Sequence, residues 1–338
     1  MRTIEVNAFG GPEVLEFREV DDPIPPEDGY VVQIMAAGLN FADIVERRGR
    51  YKKDQPLPGL LGKEAAGVVV ARGPAATRFD LGDPVIVIRF GNGCYADKVA
   101  AAAHEVLTPP RGLSFVEMAA FGTAYATAWF AMHEIARVRP GEAVLIQAAA
   151  GGVGSAAITL ARTHGCSPII GTAGGPEKCA IVRSRGADAC LDYTATDFRA
   201  AVAELTDGRG VAYCLESVGG ETYERSLEVM APMGSLVVIG FTSVQADYAN
   251  AIPRLHPLSL FHRSISVGGL NIDNLSFQRH TATWDQLVAH VEEHHIRPAV
   301  GQVFAFDDIQ DAHALLESRR SVGKVVLSME PAYQPALI

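Results

Sequence analysis

The stretch Ala143-Val144-Leu145-Ile146-Gln147-Ala148-Ala149-Ala150-Gly151-Gly152-Val153-Gly154-Ser155 constrains this chain more than any other part of it. An apolar strand runs into small residues, then into Gly151, Gly152 and Gly154, then into a helical stretch, Ser155 to Thr163. Ser167 to Thr172 reads as the next strand and Pro176 to Arg185 as the next helix. Further strands are expected at Ala189 to Tyr193, Val211 to Glu216 and Ser235 to Gly240, with helices at Phe198 to Leu205 and Glu221 to Met230. Strands alternating with helices of about ten residues demand right-handed crossovers and a parallel sheet. The same stretch raises one alternative. Ala143 to Ala161 is nineteen residues without a charge, nominally enough to span a bilayer. Its glycines and Gln147 instead mark a strand, a turn and a helix start.

Read from Ala149, the turn is AxGxxG, a dinucleotide fingerprint with alanine in place of its first glycine. Gly151 lets the backbone approach a pyrophosphate, and Gly154 allows close packing of helix on strand. The helix N-terminus, flanked by Ala150, Gly152 and Val153, presents free N–H groups to the anion. The alternative is a small-residue turn with no ligand. The second strand decides which nucleotide is expected. An NAD site places an acid at that strand's tip to accept from the ribose hydroxyls. Here the tip reads Ile170-Gly171-Thr172-Ala173-Gly174-Gly175, with Lys178 following. Thr172 and Gly174 leave room, and Lys178 supplies a cation, for a 2′-phosphate. NADPH is therefore the expected cofactor; the other reading of Lys178 is a solvated first-turn lysine.

The flanking sequence has a different texture. Leu15 to Val20, Tyr30 to Met35, Ala65 to Ala71 and Pro84 to Arg89 are short β-prone runs separated by Gly, Pro and Asp, with a helix expected at Asn40 to Arg48. Ser114 to Arg137 is Ala-rich and helical. Near the end, Trp284, Leu287, Val288 and Val291 share one helix face, as do Ile309, Ala312 and Leu316, before a last strand at Gly323 to Ser328. There are 29 Lys+Arg and 39 Asp+Glu, so the net charge is 29 − 39 = −10, and no basic run occurs. Nucleic acid and anionic membrane are excluded as main partners, since both demand clustered Lys and Arg. Five cysteines without a CxxC spacing suit free thiols in a reducing compartment. No apolar leader follows Met1. The expectation is a soluble, cytoplasmic protein.

Several segments, in order along nearly the whole chain, resemble the medium-chain dehydrogenase/reductase superfamily and its zinc-independent quinone oxidoreductases. Ala37-Gly38-Leu39-Asn40-Phe41-Ala42-Asp43 is similar to the family's GxNxxD segment. Gly62-Lys63-Glu64-Ala65-Ala66-Gly67-Val68 is similar to its GxExxGxV stretch, and Gly82-Asp83-Pro84-Val85 to its GDxV turn. Thr123-Ala124-Tyr125, the AxGxxG turn and Gly323-Lys324-Val325-Val326-Leu327 complete the series. The resemblance implies an α/β fold: a GroES-like β-rich catalytic domain from residues 1–121 and 266–338, with a Rossmann domain at 122–265 inserted. It also implies an active site in the cleft between the domains, and a homodimer.

Departures from the zinc-dependent relatives narrow the chemistry. Those enzymes carry Cys where this chain has Asn40 and His where it has Lys63. A protonated lysine has no lone pair for a metal and a carboxamide is a poor zinc ligand, so no metal is expected. Alcohol oxidation needs a Lewis acid to stabilise an alkoxide, whereas a quinone or enone spreads the hydride's charge onto a distant oxygen and needs only positioning and a proton. The expected function is NADPH-dependent hydride transfer to a quinone or other conjugated carbonyl. The alternatives are an enoyl-thioester reductase of fatty-acid or polyketide type and a non-catalytic NADPH sensor. By family position, Asn40 contacts the nicotinamide ribose or the substrate oxygen, the other reading being an Asn that holds a turn, and Thr123 contacts the nicotinamide. Tyr51 stands at a cleft tyrosine and is either a donor to substrate or structural. Lys63 is either an enolate stabiliser or a solvated or Glu-paired lysine. Asp43 is expected to order local backbone. Tyr193 and Lys324 match positions that touch cofactor phosphates, and Gly240-Phe241 ends a parallel strand, where ligands of open sheets gather.

Overall fold

The computed structural model describes residues 1–51, 55–89, 91–243, 255–275 and 280–329. Two compact units result: Met1–Ala124 with Leu275–Ile338, and Tyr125–Asn274. The expected boundaries lie at 121/122 and 265/266. The helix Phe115–Trp129 runs unbroken through the first of them. At the second, Ser266–Gly269 pairs in parallel with Met230–Val238 and so becomes the last strand of the inner unit's sheet.

The outer unit is built on a mostly antiparallel sheet in the order Val300–Ala305, Lys324–Ser328, Tyr30–Gly38, Glu64–Arg72, Pro84–Ile88 and Val106–Leu107, with Lys98–Ala101 also paired to Tyr30–Gly38. A smaller sheet joins Leu15–Glu19, Arg2–Val6 and Gly59–Leu60. Strand Tyr30–Gly38 is central and reads as a near-continuous apolar run because both faces are covered. Its register sets Gly38 opposite Glu64 and opposite Val326 of the last strand. Three segments distant in sequence thus meet at one strand end. Gly67 is required within this pairing, since a Cβ there would lie 2.0 Å from the Gln33 carbonyl oxygen.

In the inner unit six parallel strands lie in the order Ala189–Asp192, Ile169–Ala173, Val144–Ile146, Val211–Glu216, Met230–Val238 and Ser266–Gly269. The first of these in the chain lies inside the sheet, and successive strands run outward to one side and then to the other. This is the doubly wound order, with its topological switch beside Val144–Ile146. The uncharged Ala143–Ala161 stretch divides into that strand, a turn and the helix Gly152–His164. Among the described residues no helix is long and apolar enough to cross a membrane. Helix Phe115–Trp129 widens over Phe130–Ala136 into wider, π-type turns and stops at Arg137, whose φ is +56°. Leu145, Ile170, Phe198, Val202 and Leu236 belong to the inner unit's core.

Two glycines of the turn answer to different demands. A Cβ on Gly154 would sit 2.4 Å from the Ala148 carbonyl oxygen and 2.7 Å from Ala149 Cα, both backbone atoms. A Cβ on Gly151 would meet only the Ala148 oxygen, at 3.4 Å, an ordinary contact. Gly154→Ala is therefore expected to destabilise the protein by about 1–3 kcal/mol through overpacking, while Gly151→Ala melts close to wild type. Thermal denaturation of the two variants side by side checks this.

Candidate functional site

Three candidate residues of the outer unit, Asn40, Thr123 and Lys324, gather on one buried carboxylate. Asn40 ends the turn after Tyr30–Gly38 and caps the helix Phe41–Arg47. Its Nδ2 donates to Glu64 Oε1 at 2.9 Å, and its Oδ1 accepts from Lys324 Nζ at 2.7 Å. Lys324 Nζ also donates to Glu64 Oε1 at 2.5 Å. The other oxygen, Glu64 Oε2, accepts from the backbone N–H of Thr123 at 2.7 Å. Glu64 is fully buried and Lys324 nearly so. The hydroxyl of Thr123 is buried and has no hydrogen-bond partner. An orphaned hydroxyl beside a half-exposed Asn40 is the arrangement a bound polar group would complete. Lys324, expected at a cofactor phosphate, has its ammonium turned inward onto Glu64 and Asn40, with a side chain 5% exposed.

A second polar cluster lies along the same helix. Asp43 Oδ2 accepts from the Asn40 backbone N–H and from the Tyr95 hydroxyl, each at 2.8 Å. Asp43 thus orders the helix start. Burial pushes its carboxyl up to about 6, against its hydrogen bonds from Asn40 and Tyr95. Glu46 lies 3.3 Å from Lys63 Nζ and accepts from Asn92 at 2.7 Å. The Lys63 ammonium also sits 4.6 Å from the centre of the Tyr51 ring, a cation–π contact. Of the two readings of Lys63, the geometry is that of the Glu-paired, buried lysine. Tyr95, Glu46 and Asn92 were not singled out in the sequence. The only hint was that Phe41-Ala42-Asp43-Ile44-Val45-Glu46-Arg47 puts charges on a face that its neighbours cover.

In the inner unit the glycine turn is open to a ligand. Gly151 caps the helix Gly152–His164 in extended geometry without any side-chain cap. The first helical amides therefore keep N–H groups that an anion can take. Ala149 donates to the Thr172 carbonyl at 2.9 Å, which pins the turn to the second strand. That strand extends to Ala173, one residue beyond the expected end. Thr172 is consequently inside the sheet, fully buried, with its hydroxyl on Gln147 Oε1 at 2.5 Å. Its expected place is beside a 2′-phosphate; in the structure its hydroxyl is taken up within the sheet.

The strand tip is Gly174 and Gly175. Tyr193 folds over Gly174, where a Cβ would lie 2.8 Å from the phenol oxygen. Lys178 is half-buried in the first turn of the next helix, and burial lowers its pKa. Asp192, at the end of the third strand, is engaged with the Gly175 amide at 2.9 Å and with Thr194. Gly240 and Phe241 follow Met230–Val238, held there by Ile239 N–H to the Glu216 carbonyl and Thr242 N–H to the Ser217 carbonyl. Beneath the strand ends lies a network that sequence reading missed. Gln147 donates to Ser226 at 2.9 Å, and buried Glu216 accepts from Ser226 and from the amides of Val218 and Gly219. Burial raises the Glu216 pKa. Its signal was present: Gln147 and Glu216 are polar residues ending otherwise apolar strands.

The zinc-ligand positions of the zinc-dependent relatives hold a carboxamide and an ammonium, both already hydrogen-bonded or ion-paired. This donor set does not fit zinc. Among the described residues no group of three or more His, Cys, Asp and Glu is placed to hold a metal ion. The Asp43 environment carries a pH signature. Because its folded pKa lies above the ordinary 3.8, the folded state holds a proton that the unfolded state loses first. Its contribution is fully present below pH 3.8 and is lost as pH rises from there through about 6. Asp43→Asn is expected to gain stability relative to wild type across that window, by up to about 3 kcal/mol. Paired denaturant titrations at pH 4.5 and 7.5 measure the difference.

Comparison with known proteins places this geometry in a family. The alcohol dehydrogenase GroES-like domain matches residues 26–131, and the zinc-binding dehydrogenase domain matches residues 185–327. The chain is 35% identical over 329 residues to a quinone oxidoreductase of Pseudomonas aeruginosa, covering 96% of this chain and 99% of that protein. It is 32% identical over 332 residues to a phenolphthiocerol/phthiocerol polyketide synthase polypeptide of Mycobacterium tuberculosis, covering 96% of this chain but only 15% of that protein's length. The crystal structure of Escherichia coli quinone oxidoreductase complexed with NADPH matches with a TM-score of 0.88 at 29% identity, over 97% of this chain and 100% of that one. The chain belongs to the medium-chain dehydrogenase/reductase superfamily, in its quinone oxidoreductase branch.

Proposed function

We propose that this protein is a zinc-independent, NADPH-dependent reductase that acts on a quinone or another conjugated carbonyl. The observation that carries the reading is the pair of substitutions at the metal-ligand positions. Asn40 and Lys63 are each engaged by buried partners, so the site offers hydrogen bonds where a Lewis acid would otherwise act. NADPH, when bound, supplies the hydride. Gly151 and the first amides of Gly152–His164 receive the pyrophosphate, and Lys178 with Tyr193 receives the 2′-phosphate. Asn40 and the Thr123 hydroxyl orient the nicotinamide end and the acceptor's oxygen. Tyr51 donates its phenolic proton to the reduced substrate, with the Lys63 ammonium against its ring. One quinone, one NADPH and one proton give one hydroquinone and one NADP⁺. Conjugation in the acceptor makes this sufficient, because the arriving charge is already delocalised.

A second reading, reduction of an enoyl thioester, is favoured by the likeness to a polyketide synthase segment. The two are separated by following NADPH absorbance after chelator treatment, with a simple 1,4-quinone in one arm and a short trans-2-enoyl thioester in the other. Quinone-dependent oxidation untouched by chelator is the expected result. Turnover with the thioester alone assigns the second reading, and NADPH binding without turnover of either points to a sensor. Lys178→Ala tests the nucleotide preference. Losing a charge-assisted contact costs about 1.5–3 kcal/mol, so KM for NADPH is expected to rise about tenfold or more while KM for NADH stays level. Equal changes for both nucleotides would remove Lys178 from the 2′-phosphate site.

A further inference from the structure

We infer that Glu64 and Lys324 are a positioning pair, acting through Asn40 and Thr123. This rests on the reading of those two residues as ligand-contacting. The argument is one of donors and acceptors. An ammonium only donates and an ionised carboxylate only accepts. Lys324 therefore selects Oδ1 of Asn40 and Glu64 selects Nδ2, so the side-chain amide has one allowed orientation, not two. In a site without the pair, rotation by half a turn would exchange the amide's donor and acceptor at little cost. One Nδ2–H and one Oδ1 lone pair stay available, in a fixed order.

The same carboxylate reaches Thr123. Oε1 serves Asn40 and Lys324, while Oε2 takes the Thr123 backbone N–H from inside the helix Phe115–Trp129. The orphan hydroxyl of Thr123 and the amide of Asn40 are thus set by the two oxygens of one side chain. Space is reserved for it. A Cβ on Gly38 would lie 2.9 Å from the Glu64 carboxyl carbon, and one on Gly122 would lie 2.6 Å from Oε2. A buried charge with these partners is held to one geometry, because each partner lost leaves it uncompensated.

The test is a mutant cycle: Lys324→Met, Asn40→Ala and the double variant, each followed by steady-state kinetics with the acceptor the wild type reduces. Melting temperature and NADPH fluorescence titration accompany each variant. If neither acceptor is turned over, NADPH affinity becomes the readout. Each single substitution is expected to lower kcat/KM about tenfold, and the double variant to be no worse than Asn40→Ala alone. Losses that multiply to about a hundredfold overturn the proposal. So does an unchanged kcat/KM in Lys324→Met while Asn40→Ala is impaired; that outcome leaves the reading of Asn40 intact. An unimpaired Asn40→Ala overturns the reading and the proposal together. Should Lys324→Met fail to fold, Glu64→Gln/Lys324→Met removes both charges at once and takes its place in the cycle.

Discussion

The carboxylate of Glu64 is where the outer unit's chemistry is organised. It has no solvent, and its oxygens receive donors from Asn40, Thr123 and Lys324, residues that span almost the whole length of the chain. Burying such a charge is costly unless every lone pair that matters is answered. The antiparallel register of Tyr30–Gly38 with Glu64–Arg72 and with Lys324–Ser328 makes that possible, since it brings Gly38, Glu64 and Val326 to one level of the sheet. A slip of one residue would turn Glu64 to the opposite face. The sheet's hydrogen-bond register and the polar cluster therefore depend on each other.

The inner unit meets its demand in another way. Its candidate groups belong mainly to the backbone: the amides after Gly151, which no side chain caps, and the glycine tip Gly174-Gly175, covered by Tyr193 and tied to Asp192. Side chains support it from below, through Thr172, Gln147, Ser226 and Glu216 at the ends of the parallel strands. Backbone sites tolerate small-residue substitution where packing does not forbid it, which is why alanine stands at 149 in a motif that usually begins with glycine. Gly154 has no such freedom, because helix and strand backbones touch there.

Much of the architecture was legible in the chain. Period and punctuation locate most strands and helices of the inner unit, because each is an apolar run bounded by glycine or a polar turn; the strand expected from Ser235 begins five residues earlier, at Met230, and the helix expected from Ser155 three earlier, at Gly152. The doubly wound order follows from alternation and handedness. The differences have physical causes. Ser266–Gly269 is short and half glycine, and it is a strand only because Met230–Val238 offers it an edge. Thr172 looked like a strand tip because two glycines follow, yet pairing continues through Ala173. Lys324 is assigned only by family position, which carries no information about its partner Glu64, 260 residues away.

By itself the sequence determined the composition of the site: an amide and an ammonium where a metal-binding enzyme needs a thiolate and an imidazole, and a glycine turn flanked by strand and helix. The glycine turn is a property of residue type and local spacing, and the amide and ammonium are placed by the family resemblance of their segments; both survive without knowledge of the fold. Only the tertiary structure decided which charges face which. It turned Lys324 inward, paired Lys63 with Glu46 under Tyr51, and joined Asn40 to Thr123 through Glu64. Such pairings arise from strand register and helix packing between segments 24 residues apart, as Asn40 and Glu64 are, or 284 apart, as Asn40 and Lys324 are. Register is set by the burial of whole faces, a collective property that no local pattern of charges encodes.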